Sequence, residues 1–97
     1  MLHTINQSPF RSNTLETSLR FIQPNDPVLF LEDGVYALDD RGRFKETIQK
    51  LLKTNPVYGL GPDLKARAIT SVVANVKEVD YEGFVGLAEE HQVNTWL

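Results

Sequence analysis

The chain has 97 residues, ten Lys and Arg against thirteen Asp and Glu, a net charge of -3, and no cysteine. Without cysteine it can form no disulfide or thiolate metal site and can carry no persulfide by itself. The mixed charge argues against direct nucleic-acid binding, which has to neutralise several phosphates; the set Arg41, Arg43 and Lys45, beside Asp39 and Asp40, reads as a solvated loop.

A chain of this length makes one domain and buries roughly 60 to 70% of its unfolded surface. Its longest strand-like apolar run, Val28 to Leu31, falls far short of the roughly 20 residues that span a bilayer. No basic stretch leads into an apolar one at the N-terminus, so a cytoplasmic protein without membrane contact is expected.

In chain order, "MLHTIN" is a β-prone opening, a strand from Met1 or Leu2 to Asn6, closed by the turn cluster "QSPFRSN". A helix follows, with Asn13 as N-cap and Glu16 as its capping-box partner, and it ends before Pro24. Its apolar stripe, Leu15, Leu19 and Ile22, has Ser18 in place of the missing member. A buried serine there is expected to bond the carbonyl of Thr14, four residues back.

"VLFLE" is a near-continuous apolar run, the pattern of a strand covered on both faces. "DGVYALDDRG" is a loop or broken helix. Phe44, Ile48, Leu51 and Leu52 mark a second amphipathic helix that stops near Asn55 and Pro56. "VYGL" is a third strand, and "GPDLKARAI" a short helix with Pro62 at its start and Asp63 at the positive end of the dipole.

Residues 71–79 are ambiguous, though "VKEV" alternates as a fourth strand would. Asp80 can cap a fourth helix with the stripe Phe84, Leu87, Ala88 and His91, and "VNTWL" reads as a fifth, edge strand. Strands alternating with helices predict a small single α/β domain, residues 1–97, with a mostly parallel sheet of about five strands and helices on both faces.

Ligands of such sheets bind beyond the carboxyl ends of the strands. That selects Asn6 to Asn13, Glu32 to Leu38, Gly61 to Asp63, and Asp80 with Tyr81. "GLGPD" lacks the spacing of a phosphate loop, and Pro62 removes a donor. His3 and His91 are too few for a metal site, and neither metal nor cofactor is expected.

Ser8, His91 and Asp33 make a triad only on paper, since no nucleophile elbow is present. Adjacent Glu32 and Asp33 would point to opposite faces rather than share a substrate. The apolar loop Asp33, Gly34, Val35, Tyr36 and Leu38 suits a subunit interface, with equal weight on Val35 and Leu38 packing into their own domain. Trp96 poses the same choice between core and interface anchor.

The segments "MLHTINQSPF", "LFLEDGVYAL", "GPDLKARAI" and "VDYEGFVGL", with Trp96 closing the series, resemble in order and spacing the TusB/DsrH family over essentially the whole chain. The resemblance implies a DsrE-like fold, with Rossmann or flavodoxin-like layering, in a non-catalytic subunit of a persulfide-relay complex. Such a subunit joins TusC-like and TusD-like chains in a heterohexamer that serves 2-thiolation of the tRNA wobble uridine; the related DsrE, DsrF and DsrH assembly serves sulfur oxidation. The active cysteine of the Tus complex belongs to the TusD-like chain. Purified alone, such a chain is also a candidate for self-association.

Two departures from the family stand out. DsrH-type members carry a cysteine in the helix equivalent to "LETSLRF", where this chain has Ser18. The family also commonly has glycine after the Ala-Arg of "LKARAI", where this chain has Ala68; a turn with positive φ would strain it. The remaining alternative is a small enzyme or ligand-binding module using the strand-end crevice through Ser8, Asp33 and Asp63.

Overall fold

A computed structural model describes all 97 residues. Its strands are β1 (Leu2–Ile5), β2 (Val28–Phe30), β3 (Val57–Leu60), β4 (Lys77–Val79) and β5 (Val93–Trp96). Its helices are α1 (Thr14–Leu19), α2 (Lys45–Leu52), α3 (Gly61–Ala66) and α4 (Tyr81–Glu90), with a 3-10 helix over Glu32–Leu38. The five strands form one parallel sheet in the order β4-β3-β2-β1-β5. The ambiguous segment does contain a fourth strand, and the tail is an edge strand.

This order dictates the layering. The chain steps from β1 through β4 in one direction, so right-handed crossovers put α1, α2 and α3 on one face. It then returns to the far edge for β5, which sends α4 to the other face. Side chains agree: Gly59 faces Leu38 and Leu64, whereas Val79, in register with Leu60 on the opposite pleat, meets Gly83 of α4.

The main core lies on the three-helix face, where Ile5, Val28, Phe30 and Val57 meet Leu15, Val35, Leu38, Ile48, Leu51 and Leu64. Leu2, Leu29 and Leu60 are buried on the α4 face. Strand β2 is therefore covered on both sides, which is why its sequence is apolar without alternation. The β4 edge exposes Lys77 and Glu78, charges that discourage strand addition by another chain.

Local chemistry follows the sequence in places and departs from it in others. Asp80 caps α4 as expected, accepting the Gly83 amide at 2.8 Å. At α1 the capping box does not form: Asn13 makes no side-chain cap bond, and Ser12 Oγ instead accepts the Thr14 amide at 3.1 Å. Ser18 is fully buried, and its hydroxyl donates to the carbonyl of Leu15, not Thr14, at 2.8 Å. One turn of helix brings both carbonyls near, and the three-residue partner is the one reached.

Helix α3 stops in a Schellman motif. The Ile69 amide bonds the Leu64 carbonyl at 3.0 Å and the Ala68 amide bonds Lys65 at 3.1 Å, which sets Ala68 at φ 55°. Leu64 and Ile69 both enter the core, the hydrophobic contact usual for this motif. The helix thus ends at Ala66, within the segment "GPDLKARAI", and the non-glycine Ala68 sits in the left-handed region that the departure from the family's glycine brought into question.

Candidate functional site

The carboxyl edge of the sheet carries the loop after β1, the 3-10 helix after β2, and the start of α3 after β3. Gly34 holds the 3-10 helix close to the end of β1: a Cβ built on it would lie 2.1 Å from the Ile5 carbonyl oxygen. No larger residue fits there without moving backbone. Val35, Ala37 and Leu38 then point inward, each with 0% of its surface exposed.

This corrects the interface reading for Gly34, Val35 and Leu38. Val35 and Leu38 pack into their own domain and Gly34 is buried, so only Asp33 and Tyr36 of "DGVYAL" reach the surface. The apolar spacing was that of an inward-facing helical turn, which composition alone does not distinguish from an exposed patch. Trp96 is partly buried against the core, with its indole N–H donating to His3 Nδ1 at 3.1 Å, and it stacks on Phe21. Within the chain it ties β5 to its own domain.

Asp33 and Asp63, the carboxylates named for the crevice, are both engaged. Arg67 donates from Nε to Asp33 Oδ1 at 2.9 Å and from an Nη to the Asp63 carbonyl at 3.3 Å, while Asp63 Oδ2 accepts the Glu32 amide at 2.6 Å. The latter bond holds Glu32 at φ 49°, a conformation an L-residue keeps only when its surroundings fix it. Together these contacts clamp the 3-10 helix to α3. Glu32 and Asp33 do not converge on a common point of catalysis.

The paper triad is dispersed. Ser8 and Asp33 sit at the carboxyl edge, whereas His91 follows α4 and precedes β5, at the amino edge. His3 is buried near that same amino edge, with Nε2 2.9 Å from Asp26 Oδ2. Since Trp96 donates to Nδ1, the ring must present Nε2–H to Asp26. That bond first, then the Gln23 amide and the Met1 ammonium, hold the Asp26 carboxyl below its usual range against the opposing effect of burial.

No group of three or more His, Cys, Asp or Glu side chains is arranged to hold a metal. No helix is long and apolar enough to cross a membrane. The Ser18 hydroxyl, sealed inside α1, has no route to a substrate.

Sequence reasoning missed Arg67, which appears in "LKARAI" but has no local pattern to announce its partners 34 and 4 residues away. It also missed an aromatic cluster. Phe10 and Phe44 meet edge to face with centroids 5.1 Å apart, and the Arg43 guanidinium lies 5.7 and 5.3 Å from their centroids. Arg41 and Lys45 pair with Asp39 and Asp40, so the basic set is a partly neutralised loop with Arg43 singled out.

The family model described as DsrH like protein matches residues 7–94. The chain belongs to the DsrH-like family. It is 39% identical over 93 residues to the protein TusB of Pectobacterium parmentieri and 36% identical over 92 residues to that of Escherichia coli O139:H28, with 94% of both chains covered in each case.

Among solved structures, the DsrH-like chain superposes on the ychN protein of E. coli with a TM-score of 0.82 at 18% identity, covering 97% of both chains. It superposes on a protein of unknown function from Methanobacterium thermoautotrophicum with a TM-score of 0.72 at 14% identity, covering 97% of this chain and 95% of the other. At those identities the likeness establishes the fold alone.

Proposed function

We propose that this chain is a non-catalytic, structural subunit of a Tus-type sulfurtransferase complex, assembled with TusC-like and TusD-like chains and serving 2-thiolation of the tRNA wobble uridine in the cytoplasm. The observation that carries the reading is a near full-length likeness to TusB proteins in a chain that has no cysteine. A chain without a thiol cannot hold a persulfide, so its part in a relay is to shape and support a partner that can. The burial of Ser18 fits the same reading, because even the residue standing where some relatives keep a thiol is closed to solvent.

The rival, a small enzyme using the strand-end crevice, loses its groups: Asp33 is taken by Arg67 and Asp63 by the Glu32 amide. Membership of the DsrH-like family favours, as a second reading, the sulfur-oxidation assembly of the same architecture. The genes beside this one distinguish the two.

Co-expression with TusC-like and TusD-like chains tests the proposal. A stable complex containing all three is expected, with sulfur transfer lost when this subunit is left out. Recovery of this chain alone or only with copies of itself, or transfer that proceeds without it, overturns the reading.

A further inference from the structure

Two hollows at the carboxyl edge run together. One lies between Arg43 and Glu16, the other between Ser8 and Tyr36, and Phe10 and Arg11 line both. Arginines and rings adjoin here: the Arg43 guanidinium lies over the Phe10 and Phe44 rings, Arg11 follows Phe10, and beside the groove Arg67 sits 6.0 Å from the centroid of Tyr36. Phe10 keeps 55% of its surface exposed although it is among the larger apolar side chains.

The turn presenting Phe10 and Arg11 is fixed in advance. Ser8 is buried, its hydroxyl accepts the Phe10 amide at 3.2 Å, and its carbonyl accepts the Arg11 amide at 3.2 Å. Side chains held by such a turn lose little freedom on binding.

Charge selects the occupant. Arg41, Lys45 and Arg67 already have carboxylate partners, Asp33 being the one taken by Arg67, whereas Arg11 and Arg43 have none, which leaves the groove two unpaired arginines against one unpaired carboxylate, Glu16, although the chain as a whole is negative. A guanidinium carries a planar fork of N–H donors that matches a carboxylate. An RNA strand fits poorly, since two unpaired cations neutralise too few phosphates. Tyr and Arg are the residue types that concentrate binding energy in protein interfaces.

We infer that this arginine and aromatic groove receives an acidic, carboxylate-bearing segment of a partner subunit. The inference rests on the subunit reading above and names the face and the chemistry by which it would assemble.

The test compares the chain with its Arg11→Glu/Arg43→Glu variant, each co-expressed with the TusC-like and TusD-like chains, with complex formation measured at several salt concentrations. Reversal is expected to weaken assembly at least about tenfold and to flatten its salt dependence, while the isolated chain, whose two substituted side chains are exposed, still folds and loses only the small contribution of the Arg43 ring contacts to its unfolding temperature. Arg43→Lys should fall between the two, since it keeps the charge and loses the planar fork. Lys50→Glu/Lys53→Glu, at the far end of α2, should assemble as the parent does.

A parent chain that recovers no partner overturns the subunit reading and this inference together. A parent that assembles while the double reversal assembles equally well overturns this inference alone. So does a double reversal that leaves assembly intact and abolishes binding of a transcribed tRNA.

Discussion

Replacing Ala68 by glycine should stabilise the protein. Ala68 holds φ 55° as the residue after the end of α3, and two backbone hydrogen bonds of the Schellman motif require that conformation. An L-residue in the left-handed region costs about 1–2 kcal/mol. Glycine removes that cost but adds unfolded-state entropy worth about 0.4–1 kcal/mol, so the midpoints of the two ranges leave a net gain of about 0.8 kcal/mol.

Ala68 is exposed and has no buried packing to lose, so no cavity term enters. For a domain of this length the gain is a rise in Tm of roughly 2–8 °C. Thermal unfolding followed by far-UV circular dichroism, with urea unfolding to confirm an unchanged slope, measures it. Ala66→Gly, two residues earlier at the last position of α3, serves as the opposite control and should lose up to about 1 kcal/mol. If Ala68→Gly lowers Tm or leaves it where it was, the strain argument is wrong.

Gly34→Ala should cost about 3 kcal/mol or more, or prevent folding, because the new methyl would meet the Ile5 carbonyl; urea unfolding checks it, and a stable variant refutes the close approach. Ser18→Cys should fold, with its thiol inert to thiol reagents until the protein unfolds, and Ser18→Ala should cost under about 1.5 kcal/mol and leave sulfur transfer by the complex unchanged. A native thiol that reacts at the rate of a free one would show that α1 does not seal the site.

Asp26 gives a pH signature. Its carboxyl is held below the usual value by His3, so its contribution is present above the unfolded pKa of about 3.9 and is lost as pH falls through the lower folded value. The stability gap between the parent and Asp26→Asn should therefore be larger at about pH 5 than at about pH 2.5. A gap that stays constant over that interval, measured by urea unfolding, contradicts the assignment.

Local pattern carried much of the fold. The unbroken apolar run of β2, the helical stripe from Phe44 to Leu52 and the Asp80 cap each depend on residues within a few positions of one another, so their elements appear in place. The family resemblance likewise rested on segments whose order needs no coordinates. What the sequence determined, then, was the succession of elements, the absence of thiol chemistry and the family.

Tertiary structure decided the rest, because those outcomes depend on pairs far apart in the chain. Whether Val35 and Leu38 face a partner or their own core turns on where the 3-10 helix lies against β1, and Gly34 permits that approach across almost 30 residues. The Asp26, His3 and Trp96 chain joins three distant segments, and Arg67 finds Asp33 only after α3 has docked. The arginine and aromatic groove arises in the same way, since Phe10 and Phe44 become neighbours only when the loop after β1 and the start of α2 are brought to one edge of the sheet. Periodicity records which face of an element is apolar; only the packed sheet determines what that face meets.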